Sequence, residues 1–146
     1  MNENSNNGQF RKILVGYDGS RSAEEALEVG FAIASTMDSQ VEVLAVTQPP
    51  EPPAALRKRA TAGDAREHYE RALGEITRAA QECGIQLETM IAVGHPAEQI
   101  IQRAEQGHAD LIIVGERGSS NIERPAMGSV AERVLRYAPC PVLLTR

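Results

Sequence analysis

The chain has 146 residues, with 15 Lys and Arg against 20 Asp and Glu, for a formal net charge of −5. That length suits one domain able to bury its own core, and the acidic balance argues against a protein built to grip nucleic-acid backbones or anionic membrane. Aromatic residues make up 3% with no Trp, too few for base-stacking platforms, and no apolar run approaches the roughly 18 residues that span a bilayer.

Residues 1–10 are Asn-rich and aperiodic and read as a disordered tail, ahead of a single domain over 11–146. They contain no signal-peptide apolar region, so the cytoplasm is the expected location. Ile13-Leu14-Val15-Gly16-Tyr17 is too short for a helix and predicts a strand buried on both faces, closed by the turn Asp18-Gly19-Ser20. Ala23, Ala26, Leu27, Gly30, Phe31 and Ala34 mark the inner stripe of a helix, with Ser22 and Glu25 spaced as a capping box at its start. A second strand is predicted over 41–46. The proline-rich residues 48–53 read as an extended linker, and Arg57-Lys58-Arg59 beyond it as a solvated basic patch. A long helix is predicted from about Gly63 to Cys83, its inner face made of Tyr69, Ala72, Leu73, Ile76, Ala80 and Cys83, with Gly84 as its stop. Residues 87–93 predict a third strand whose broken apolar pattern suits a sheet edge. Pro96 opens a short helix with Ala97, Ile100, Ile101 and Ala104 inward and Gly107 at its end. Asp110-Leu111-Ile112-Ile113-Val114-Gly115 is the fourth strand, 129–138 the fourth helix, and 141–145 the fifth strand. The alternation βαβαβαβαβ calls for an open α/β parallel sheet with helices on both faces.

Ligands of such sheets bind beyond the carboxyl ends of the strands, where strand order reverses. Two turns carry residues suited to that place: Asp18-Gly19-Ser20 after strand one and the loop after strand four. An order of 3-2-1-4-5 would put both in one crevice. The second loop holds Gly115, Gly118, Gly128 and Ser129 in a G-x2-G-x9-G-S spacing. Glycines let backbone amides approach a phosphate, and Gly128-Ser129 opens a helix whose amino end favours an anion. Arg117 and Arg124 lie in the same loop. From residue 115 onward there are five arginines against three glutamates, so the last part of the chain is locally positive on an acidic body. No Walker Gly-x4-Gly-Lys-Ser/Thr, metal-ligand histidine spacing or CxxC pair accompanies these turns, and Cys83 and Cys140 are expected to pack as small hydrophobes.

These residues, with Gly128-Ser129-Val130-Ala131-Glu132-Arg133-Val134 and Cys140-Pro141-Val142-Leu143-Leu144, resemble the universal stress protein family over nearly the whole chain after residue 10. The resemblance implies a Rossmann-like five-stranded sheet of order 3-2-1-4-5 and a homodimer formed through the last strand, 141–145. It further implies a small stress-response regulator binding ATP or AMP, with Mg2+ held through the phosphates. By position, Gly115, Gly118, Gly128, Ser129 and Val130 would hold phosphates and ribose, with Arg117 supplying charge. Asp18, Val46 and Val114 would border the nucleoside. Glu116 departs from the pattern, standing where such proteins more often carry a small hydroxyl residue. An inward Glu116 would favour AMP or a nucleotide-free interaction protein. A slow ATPase or self-phosphorylating enzyme is the other alternative, and the loop lacks the lysine and general base that it needs.

Overall fold

A computed structural model describes residues 9–49, 55–118 and 127–146, with the side chains of 55–63 outside the description. Residues 1–8 of the expected tail, most of the proline-rich segment, the basic patch side chains at 57–59 and Arg124 therefore lie outside the described residues.

Strands β1 (Lys12–Tyr17), β2 (Gln40–Thr47), β3 (Gln86–Val93), β4 (Leu111–Gly115) and β5 (Val142–Thr145) form one parallel sheet in the order β3-β2-β1-β4-β5. Helices α1 (Arg21–Met37), α2 (Ala55–Glu82), α3 (Pro96–Gly107) and α4 (Ser129–Tyr137) make the crossovers. Because strand side chains alternate, each apolar strand feeds two cores. Ile13, Val15, Val41, Val43, Leu111 and Ile113 pack under α1 and α2. Leu14, Leu44, Ile112 and Val114 pack under α3 and α4. Ile13, Leu14, Leu44, Ile112 and Ile113 are each at most 2% exposed, so each contributes the roughly 1.5–3 kcal/mol of a fully buried aliphatic side chain.

The β1/β4 register is set at the amino ends. Asp110 accepts the backbone N–H groups of Arg11 at 3.0 Å and Lys12 at 2.9 Å, while its own N–H donates to the Lys12 carbonyl at 2.8 Å. Phe10, the last residue of the expected tail, packs against the α1/α2 core, and Ser39 donates to its carbonyl.

Three local expectations need correction. Helix α2 begins at Ala55, well before Gly63; residues 55–62 are rich in strong helix formers, and one interior glycine costs only about 1 kcal/mol. Cys83 is exposed and falls just past the helix, although Leu73 and Ala80 are buried as expected. Helix α1 is capped by Ser20, whose hydroxyl accepts the Ala23 N–H at 3.1 Å, whereas Ser22 lies inside the helix and is buried. Gly107 ends α3 as expected, and His108 takes the left-handed cap with φ 54°.

Candidate functional site

The order reverses between β1 and β4, and the two marked turns meet there. Asp18 follows β1 directly and its carboxylate accepts the Ser20 N–H at 2.9 Å, a local turn made possible by Gly19 at φ +82°. That turn delivers Ser20 in extended conformation to cap α1. On the other side, β4 ends at Gly115, and the loop runs through Glu116, Arg117 and Gly118 before α4 starts at Ser129. Gly128 donates to the Glu116 carbonyl at 2.8 Å, pinning the amino end of α4 onto the start of the loop.

The three loop glycines stand there for different reasons. A Cβ on Gly115 would collide with Ser22, lying 2.8 Å from its Cβ, so this glycine answers to helix packing. On Gly128 a Cβ would press at 3.1 Å on the Glu116 carbonyl oxygen and at 3.6 Å on the Gly118 nitrogen. On Gly118 it would meet, among the described residues, only the Asp18 carboxylate, at an ordinary 3.4 Å. Among the described residues, no protein atom demands glycine at 118. The N-cap of α4 is Gly128, which has no side chain with which to occupy the first-turn amides of Val130 and Ala131.

Asp18 thus lies beside Gly118, and Gly118 beside Gly128 at the amino end of α4, with Arg117, Gly118 and Ser129 exposed there and Val130 partly buried against the α3/α4 core. Val46 lies at the end of β2, one position beyond the Tyr17–Ala45 pair and level with Asp18. Val114 is 3% exposed and its side chain belongs to the α3/α4 core, which leaves only its main chain near the crevice.

Residues 9–146 match the universal stress protein family. The chain belongs to that family. A universal stress protein of Methanocaldococcus jannaschii is 34% identical over all of this chain and 89% of its own length. The universal stress protein UspA from Lactobacillus plantarum superposes with a TM-score of 0.88 at 26% identity, covering 96% of this chain and all of its own. A universal stress protein solved in complex with cAMP superposes at 0.71 and 26% identity, over 94% of this chain and 98% of its own.

Within this family frame, Glu116 turns toward the carboxyl terminus. Its carboxylate lies 3.6 Å from the Arg146 guanidinium, across the end of the β4/β5 pair. Two tyrosines escape a sequence reading of the crevice. Tyr17 and Tyr69 meet edge to face, with ring centroids 6.5 Å apart. Burial, then a 2.6 Å hydrogen bond to Glu24, pushes the Tyr17 phenol above its ordinary range. Burial and the Asp18 charge push Tyr69 the same way. Both shifts favour the neutral phenol. Tyr69 is legible as an inward helix position, but its level along α2 depends on helix placement that spacing does not give.

Proposed function

We propose that this universal stress protein binds an adenine nucleotide, ATP or AMP, in the β1/β4 crevice and acts as a cytoplasmic nucleotide-dependent regulator. The carrying observation is the approach of the two turns: a Cβ built on Gly118 would lie 3.4 Å from the Asp18 carboxylate, a hydrogen-bond acceptor, and among the described residues nothing else would crowd it. A carboxylate suits ribose hydroxyls and repels phosphate, so Asp18 takes the nucleoside end. Gly118, Gly128, Ser129 and Val130 then face the phosphates with backbone amides, and the amino end of α4 adds its dipole. Gly115 shapes the loop, Arg117 supplies positive charge at its rim, and Val46 and the Val114 main chain border the base. Mg2+ would be held through the phosphates. The complex of a family relative with cAMP supports an adenine ligand. Glu116, the residue that speaks for a nucleotide-free protein, is oriented toward Arg146.

We further read β5 as the homodimer edge. It pairs with β4 on one side, and Val142, Leu143 and Leu144 are half-buried in the single chain.

The test begins with freshly purified protein, denatured so that released nucleotide is identified by mass spectrometry, followed by titration with AMP, cAMP and ATP with Mg2+. Gly118→Val fills the space beside Asp18 and is expected to weaken binding by at least about 100-fold while leaving thermal unfolding nearly unchanged. Neither co-purified nor titratable nucleotide in the wild type would sink the reading.

A further inference from the structure

Among the described residues, three polar side chains are buried: Ser22, Ser39 and Thr145. Ser39 holds the start of the chain, far from the crevice. Ser22 and Thr145 lie at the carboxyl end of the sheet and are 6% and 7% exposed. Burying a hydroxyl is costly unless it is hydrogen-bonded, and each of these is. The Thr145 hydroxyl donates to the Ser22 carbonyl at 2.7 Å, and the Ser22 hydroxyl donates to the Arg117 carbonyl at 2.5 Å. The Thr145 carbonyl in turn accepts the Glu116 N–H at 2.6 Å, and the Glu116 carbonyl accepts the Gly128 N–H. One chain of hydrogen bonds therefore runs from β5 through α1 to both ends of the crevice loop.

The bond from Ser22 to Arg117 has a directional consequence. In a trans peptide the C=O and the following N–H point in opposite directions. Holding the Arg117 carbonyl on Ser22 turns the Gly118 N–H away from α1. We propose that Ser22 and Thr145 are positioning residues of the crevice: they orient the Arg117–Gly118 peptide so that its N–H meets the phosphate of a bound nucleotide. Neither hydroxyl touches the ligand. The proposal rests on the nucleotide reading above and assigns control of phosphate recognition, as distinct from nucleoside recognition, to a residue on the outermost strand.

That distinction supplies the test. Thr145→Val keeps the side-chain shape and removes the hydroxyl, Thr145→Ser restores it, and Ser22→Ala removes the second link. Each is titrated with AMP and with adenosine, which lacks the phosphate, and amide exchange is measured without ligand. The expected result is about tenfold weaker AMP binding in Thr145→Val and Ser22→Ala, with adenosine binding within about twofold of wild type. Thr145→Ser recovers AMP affinity, and the double variant Ser22→Ala/Thr145→Val is no worse than either single change. Exchange at the Glu116, Gly118 and Gly128 amides rises in the unliganded Thr145→Val protein, while the β2 amides keep their protection. Equal losses for AMP and adenosine, or no loss for either, overturn the positioning role. Unchanged loop exchange overturns the relay whatever the wild type binds. A wild type that binds neither of these ligands, nor ATP with Mg2+, overturns the nucleotide reading, and with it this proposal.

Discussion

Gly115 and Gly118 are separated by two residues and respond to different pressures. A methyl group added at Gly115 would lie 2.8 Å from the Ser22 Cβ and 3.0 Å from its backbone carbon, whereas one added at Gly118 would meet, among the described residues, only the Asp18 carboxylate at van der Waals distance. Gly115→Ala is therefore an overpacking substitution and should destabilise by about 1–3 kcal/mol. Gly118→Ala should stay within roughly 0.5 kcal/mol of wild type. Urea unfolding checks both, through a lower midpoint at constant slope for Gly115→Ala alone. An unchanged midpoint there would mean that Ser22 moves aside at no cost. The glycine spacing is readable in the sequence, but the reason for Gly115 is not. Its neighbour Ser22 is 93 positions away, and only the pairing of β1 with β4 brings them together. Ser22 misleads a sequence reading because its spacing to Glu25 mimics a capping box, while Ser20, with no Glu three residues on, is the actual cap.

At the scale of elements, β1 and α1 are joined by the Tyr17–Glu24 hydrogen bond at 2.6 Å. Because the folded phenol is held above the ordinary value of 10, the unfolded chain loses this proton first as pH rises. Stability attributable to Tyr17 is complete below pH 10 and declines above it, by at most roughly 1.4 kcal/mol per pH unit for one proton. Tyr17→Phe should flatten that alkaline decline, with the rest carried by Tyr69, which is shifted in the same direction. Chemical denaturation at pH 9 and pH 11 measures it, and an identical alkaline loss in Tyr17→Phe would refute the assignment. The elements themselves are legible because a period of two or 3.6 in apolar residues is written in the chain. Strand order is legible only through family resemblance. The start of α2 is not, since Gly63 looks like a boundary and the helix runs through it.

For the whole molecule, the question is what meets the outer edge of β5. The Pro141 and Thr145 carbonyls face β4, accepting the N–H groups of Ile112 and Glu116. By alternation, the Leu144 N–H faces away from β4. A second copy pairing along β5 would use that group. Leu144→Pro deletes it without breaking a bond to β4. Sedimentation should show two-chain particles for the wild type and single chains for the variant, with helical circular dichroism retained. Two-chain particles in Leu144→Pro would place the dimer interface elsewhere.

The clamp at Asp110 sits at the opposite end of the sheet from every residue proposed to meet a ligand. It fastens the β1 entry by three backbone contacts, so the alignment of the two central strands does not depend on the loops at their exits. Evolution can then rewrite those exits, exchanging one recognition surface for another, while inheriting the same alignment. In such a scaffold, a change at the loops need not disturb the alignment of the two central strands.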